Sequence, residues 1–313
     1  MRSTRFWSFW LWLILLAGIC LIFLDSWRSG RAKFENNYEA VDFEGFNNET
    51  GSPSGCYIVP NFVHFVRFNK PKLSFVEAVC ILSAFYHQKP EKIYIHTNVK
   101  AVGKYWQVLA KVKGLSQVLE FKNLPIPREI FGQKLSSKWN VFHGGDVARL
   151  RILSEFGGLF LDNDSYLVRS INPFRSLEMS LGWQPGKSLQ NQVIVAHKDA
   201  RFLKLWLESY RDNYRPDLWY YNAGQLPTKI LEKYPHLVHR VHQLFGGYGV
   251  VRSIFQRKWP DWKNYYALHL MVRHQNLLKN VNANATYPVV FDEFNIHKYP
   301  IAFRDMAYDV YPF

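Results

Sequence analysis

Two aspartates separated by one residue, in Leu159-Phe-Leu-Asp162-Asn163-Asp164-Ser165, are the residues of this chain best suited to chemistry. The three apolar residues read as the end of a buried strand. In extended backbone alternate side chains leave on the same side, so both carboxylates face one point and Asn163 lies opposite. Carboxylates that close repel each other unless a cation sits between them, and Mg²⁺ or Mn²⁺ is commonly held by one or two carboxylates together with substrate phosphates. The pair therefore suits a metal-bound diphosphate. The plainer alternative is a surface turn in which Asp and Asn take their usual places.

A helix must deliver these residues. His143 to Phe156 carries Val147, Leu150 and Leu153 with Ala148, Ile152 and Phe156 as its apolar side, and Arg151 and Glu155 as an exposed i,i+4 pair. Gly157 suits the left-handed position just past the helix, and Gly158, a candidate substrate contact, lets the chain turn at once into the strand. Asp146 and Arg149 are three residues apart and share one helix face. Their structural alternatives are an N-cap and a solvated surface charge.

The run Asp146-x-x-Arg149-x-x-Ile152-Leu153-x-x-x-Gly157-Gly158-x-Phe160-x-Asp162-x-Asp164 resembles the core signature of the DXD-containing sugar transferases of glycosyltransferase family 32. That group includes yeast-type α-mannosyltransferases and animal α-1,4-galactosyl- and N-acetylglucosaminyltransferases. The resemblance implies an α/β, Rossmann-like GT-A fold with a mostly parallel central sheet. It implies retaining transfer of a hexose or N-acetylhexosamine from a nucleotide-sugar donor, UDP-linked by preference, to a glycan or glycolipid acceptor. It also implies a Mn²⁺ (or Mg²⁺) cofactor on Asp162 and Asp164, with Asp146 touching the donor ribose or sugar, Arg149 orienting it, and Asn163 among the substrate contacts.

Further matches extend the resemblance. Val59-Pro-Asn-Phe-Val-His64-Phe65 is similar to the family's first strand, which usually leads into a tryptophan that lies against the base. Arg67 stands where that aromatic is expected, so Phe65, Phe68 or the Arg67 guanidinium would stack instead. His64 is a ligand contact or a hydrogen-bonded core histidine. Asn191 or Gln192 would meet the donor sugar, with a turn role as the alternative, and Asn222 opens a helix where relatives tend to carry Gly-Pro. Ala267-Leu-His269 resembles the family's Ala-x-His, which makes His269 a candidate third metal ligand. His274 competes for that role, and a buried structural histidine is the plain alternative.

Elsewhere, Phe6 to Leu24 is apolar apart from Ser8 and Gly18 and has basic residues on both flanks; about 19 such residues suffice to span a bilayer. Residues 1–28 are therefore read as a cytoplasmic tail and transmembrane signal anchor, 29–55 as a stem and 56–313 as the catalytic domain. A cleaved signal peptide is the competing reading. The arrangement predicts a single-pass type II protein of the Golgi membrane with a lumenal catalytic domain. Asn48-Glu-Thr50 and Asn284-Ala-Thr286 are glycosylation sequons that fit this, and Asn163-Asp-Ser165 is formally a third. Cys56 and Cys80 pair in an oxidising lumen or stay free. A formal charge of +14 fits an anionic donor beside a membrane better than nucleic acid, because no basic run stands alone as a binding arm.

Strand patterns at 57–68, 92–97, 117–121, 179–184 and 191–197 alternate with helices from Ser74, Tyr105 and Ala200, as a mostly parallel sheet requires. Ligands of such sheets gather beyond the carboxyl ends of the strands, where Phe65 to Phe68, Thr97 and Asp162 to Asp164 are expected to meet. Two other functions fit less of the chain. One is a haloacid-dehalogenase-like phosphatase with Asp162 as nucleophile and Asp164 as acid/base. The other is a non-catalytic lumenal protein on a transferase fold.

Overall fold

The computed structural model describes residues 41–272 and 290–313. In chain order the strands are β1 (Phe62–Arg67), β2 (Lys92–Thr97), β3 (Leu119–Asn123), β4 (Glu129–Ile130), β5 (Gln133–Lys134), β6 (Gly158–Leu161), β7 (Ser165–Leu167), β8 (Met179–Gly182), β9 (Val193–Ala196), β10 (His239–Val241), β11 (Phe245–Gly246) and β12 (Ala267–His269). The principal helices are α1 (Phe75–Ser83), α2 (Lys104–Lys111), α3 (Asn140–Phe156), α4 (Arg201–Glu208), α5 (Leu226–Lys233) and α6 (Ala302–Val310).

A seven-stranded sheet runs in the order β10-β8-β9-β6-β1-β2-β3. It is mostly parallel, as expected: β9 alone runs against its neighbours, β6 and β8. The central strands β6, β8 and β9 are buried on both faces because helices cover both. Phe65, Ile93, Ile95, Leu159 and Leu161 pack toward α1 and α6, whereas Phe160, Leu181 and Ile194 pack with Val147, Leu150 and Leu153 of α3 and Phe202 and Trp206 of α4. The i,i+2 alternation along β6 thus sends Leu159 and Leu161 one way and Phe160 the other.

Local signals set the element ends. Ser74 caps α1 in a reciprocal capping box with Glu77. α3 starts at Asn140, three residues before the expected His143, so Asp146 lies well inside the helix and is not an N-cap. Gly157 (φ 63°) and Gly158 (φ 108°) then turn the chain into β6. A second, three-stranded sheet, β11-β12-β7, pairs His269 antiparallel with Ser165. This pairing brings the late Ala-Leu-His segment beside the Asp-x-Asp turn.

Several expectations change. Residues 42–55 are not a free stem, since the compact unit begins at Asp42. Phe43 is buried, and Ser52 donates its backbone N–H to Ser176 O at 2.7 Å. Asn48 is 2% exposed; its Nδ2 donates to Glu178 Oε2 (3.0 Å) and to the His236 carbonyl (3.1 Å). The folded chain therefore does not offer that sequon for modification. Cys56 is exposed and Cys80 buried, and both are free thiols. The expected anchor at Phe6–Leu24, the first part of the stem, the Asn284 sequon and His274 lie outside the described residues. Among those described, no helix is long and apolar enough to cross a membrane.

Candidate functional site

A cleft of about 520 Å³ opens beyond the carboxyl end of β6. α3 supplies one wall. Phe142, Gly145, Asp146 and Arg149 recur at helical spacing along the face turned to the cleft. The Asp-x-Asp turn forms the floor, β12 and the residues after it supply His269, Met271 and Val272, and the segment before β9 supplies Gln190, Asn191 and Gln192.

Both aspartates face His269. Its Nε2 lies 3.1 Å from Asp164 Oδ1 and 4.0 Å from Asp162 Oδ2. Asp164 is held by its other oxygen, which accepts the Val272 N–H at 2.9 Å, while its carbonyl accepts the Leu270 N–H at 2.8 Å. Burial alone would lower the His269 pKa, but the carboxylates of Asp164 and Asp162 outweigh it and raise the imidazole above its ordinary value. Two carboxylates and an imidazole converging on one point form a donor set suited to Mn²⁺ or Mg²⁺. Among the described residues no group of three or more such side chains is already arranged as a metal cage. Closing around an ion would require His269 to release its bond to Asp164.

Arg149 ties the helix to the turn. Its Nη2 lies 3.1 Å from Asp146 Oδ1 and 3.4 Å from Asp162 Oδ1, its Nη1 donates to the Asn191 carbonyl at 2.7 Å, and its guanidinium lies over the Phe160 ring at 4.6 Å. Burial would lower its pKa, but Asp162 and Asp146 raise it, so the guanidinium stays charged. Asp146 has the opposite balance. Burial pushes its carboxyl up and the Asp162 charge adds to this; Arg149 opposes both, leaving a pKa of about 7. Asn191 donates to Asp146 Oδ1 (3.4 Å) and to the Ala223 carbonyl (3.1 Å).

The cleft thus brings together Asp146, Arg149, Asp162, Asn163, Asp164, Asn191, Gln192 and His269. Asn163 is half-buried at its floor and donates to the Val66 carbonyl at 2.7 Å. The remaining candidates lie elsewhere. Phe65 and Arg67 face the opposite side of β1: Phe65 is buried in the core, and Arg67 pairs with Glu77 at 2.9 Å and donates to the Lys72 carbonyl. Phe68, the third stacking candidate, does line the cleft, together with Val66. His64 is a core histidine, bonded to His96 (3.0 Å) and the Gly157 carbonyl (2.9 Å). Gly158 is required by packing, since a Cβ there would lie 2.6 Å from the Phe62 carbonyl. Asn222 is spent on structure: its Oδ1 accepts the Arg215 N–H and its Nδ2 donates to the Asn213 carbonyl. Thr97 bonds its hydroxyl to the Val99 carbonyl, away from the cleft.

Sequence reasoning missed Phe142, Trp219 and Tyr220, all of which line the cleft. Phe142 was within reach, four residues before Asp146 on the same helix face. Trp219 and Tyr220 sit in an irregular segment with no periodic signal.

Residues 77–181 match a family described as "Glycosyltransferase sugar-binding region containing DXD motif". The matched span holds α3, β6 and both aspartates. Over this region the chain is similar to the DXD-containing glycosyltransferases. Among curated relatives of this DXD protein, glucan organizing enzyme 1 of Cryptococcus neoformans var. grubii is 23% identical over 223 residues, 66% of this chain and 55% of the relative. Lactosylceramide 4-alpha-galactosyltransferase of Rattus norvegicus is 25% identical over 125 residues, 39% of this chain and 34% of the relative. The chain therefore spans about half the length of the first and a third of the second.

Solved structures resemble it only distantly. The glycosyltransferase GlyE of Streptococcus pneumoniae TIGR4, in its apo form, superposes with a TM-score of 0.43 at 11% identity, covering 68% of this chain and 54% of that one. The galactosyltransferase LgtC with donor and acceptor sugar analogues gives 0.38 at 13%, covering 67% and 87%. The phosphatase reading loses its footing. Such a phosphatase needs a later lysine and a further acidic pair at the site; Lys198, Asp199, Asp292 and Glu293 do not line the cleft, and Glu293 pairs with Lys104 at 2.9 Å.

Proposed function

We propose that this DXD chain is a metal-dependent, retaining glycosyltransferase of GT-A type that moves a hexose or N-acetylhexosamine from a nucleotide-sugar, UDP-linked by preference, to a glycan or glycolipid acceptor. The observation that carries this reading is the meeting of Asp162, Asp164 and His269 at the floor of the cleft, beside the buried Arg149–Asp146 pair. The name of the lactosylceramide 4-alpha-galactosyltransferase relative supports a glycolipid acceptor.

Asp162, Asp164 and His269 would hold Mn²⁺ or Mg²⁺. The bound ion supplies Lewis-acid stabilisation of the donor diphosphate as negative charge develops on it. The protein residues do the rest. Arg149 adds fixed positive charge beside Asp162 in a buried setting, where preorganised charge counts most. Asp146, Asn191 and Gln192 present acceptors and donors for sugar or ribose hydroxyls. In the transfer the bond from the anomeric carbon to the phosphate oxygen breaks and a bond to the acceptor oxygen forms. The acceptor proton passes to the departing phosphate, and no protein base is assigned. The expected setting is the Golgi lumen behind an N-terminal anchor.

Thermal unfolding of the full chain with UDP or GDP, with and without Mn²⁺, tests this reading. A nucleotide at a hundred times its dissociation constant adds about 2.7 kcal/mol of stability. Stabilisation by UDP that requires Mn²⁺ is expected, and Asp164→Asn should abolish it and lower transfer on the order of 10²-fold or more. If neither nucleotide raises the midpoint under either condition, the reading is wrong.

A further inference from the structure

The cleft has a second character at its other end. Phe142 and Trp219 pack edge to face with centroids 6.3 Å apart, Trp139 meets Phe142 at 6.1 Å, and Tyr220 meets Trp219 at 5.6 Å. Phe142 is 38% exposed and Trp219 41%, yet both line the cleft. An aromatic wall thus lines part of the cleft: Phe142 and Trp219 are its exposed portion, and Tyr220 reaches in to where Asp146, Arg149 and Asp162 act on its hydroxyl. Phe142 and Arg149 share a face of α3 seven residues apart, a rise of about 10 Å, or roughly two pyranose rings.

The wall is held in place. The Tyr220 hydroxyl donates to the Leu189 carbonyl at 2.8 Å. Its ring lies flat on Gly224, so closely that a Cβ there would meet ring carbons at 2.1 to 2.8 Å. Asn222 locks the same turn from behind through Asn213, Arg215 and the Trp206 indole. Rigid aromatic faces with few rotatable bonds bind at low entropic cost.

We propose that Phe142, Trp219 and Tyr220 form the acceptor subsite and select an uncharged pyranose, packed by its C–H face against the rings. The assignment rests on the transferase reading, which calls for an acceptor hydroxyl beside the donor. The two ends of the cleft divide accordingly. The charged floor suits an anionic donor. The wall carries no formal charge, and aromatic surface rewards an apolar sugar face rather than a phosphate. Phe142, one turn from Asp146, sets the distance between the two.

The test uses the full chain in a detergent without a sugar headgroup. Methyl β-galactopyranoside, methyl β-glucopyranoside and lactose are titrated by saturation-transfer NMR, and UDP with Mn²⁺ is titrated separately on the same samples. At least one glycoside is expected to receive saturation from aromatic protons at its ring C–H positions. Trp219→Ala and Phe142→Ala should each weaken it about tenfold, equivalent to about 1.4 kcal/mol. Trp219→Phe should restore most of the affinity, and nucleotide affinity should stay unchanged throughout. The subsite is refuted if no glycoside binds, or if binding survives both alanine variants. Nucleotide binding without glycoside binding removes the wall's role and spares the transferase reading. Glycoside binding that needs the rings, without any nucleotide binding, does the reverse.

Discussion

Asp146 shows how far a carboxylate can be moved without leaving its salt bridge. Its pKa is pushed up to about 7, first by burial and then by Asp162, against the pull of Arg149. An unfolded aspartate ionises near 3.9, so between about 4 and 7 the unfolded chain binds fewer protons than the folded one. Stability from this site is therefore greatest at low pH and falls as pH rises. Asp146→Asn removes the dependence. Its stability relative to the native chain should climb between pH 5 and 7, by up to about 1.4 kcal/mol per unit, as read from urea unfolding. A difference that stays flat with pH would mean Asp146 is ionised throughout. Residue roles of this kind were partly legible. Asp162, Asp164 and His269 came from spacing and resemblance, but nothing in the string revealed that Arg149 would be shared between two acids.

At the scale of elements, β1 illustrates where reading a sequence succeeds and fails. Its existence follows from the apolar pattern. The face it turns to the cleft does not, because a strand shows opposite faces on successive residues and a shift of one exchanges them. Of the three stacking candidates, Phe68 alone lines the cleft, beside Val66, while Phe65 and Arg67 face away. Two residues back along the Val66 face, His64 is buried, with its own consequence. His64 and His96 share a hydrogen bond on adjacent strands, and burial holds both neutral, His64 down to about 3 and His96 to about 4. The mutual repulsion of two imidazolium rings lowers His64 further. Unfolded histidines take up protons below about 6.5. Stability should therefore drop as pH falls from about 6.5 to 4, with a slope near two protons, each about 1.4 kcal/mol per unit. His64→Gln should halve the slope; an unchanged slope would show that the pair is not the source.

Over the whole molecule, the boundary of the folded unit is the main departure from the sequence reading. Polar, Gly- and Ser-rich composition at 29–55 suggests a stem, and composition alone does not reveal that Phe43 and Asn48 are anchors. Glu178 is fully buried and answers Arg201 at 2.7 Å and Asn48 at 3.0 Å, so the segment from 42 closes over a buried ion pair and adds a hydrogen bond to it. A chain beginning at residue 42 should be more stable than one beginning at 56 by about 3 kcal/mol or more, as measured by thermal or urea unfolding. Equal midpoints would return 42–55 to the stem. The sheet order itself was legible only as alternation, since β9 entering antiparallel between β6 and β8 leaves no mark in the strand's own composition.

The buried Asn48 also sets a contest in time. In the lumen where we place this protein, the same amide nitrogen is claimed twice: by the enzyme that attaches glycans to nascent chains, and by Glu178 and His236 once the chain has folded. The claims are exclusive. A glycan attached early would keep the 42–55 segment from closing, and closure would shield the nitrogen from then on. The fraction of chains carrying sugar at Asn48 would then record how often folding loses that race, and those same chains should be the ones retained by quality control.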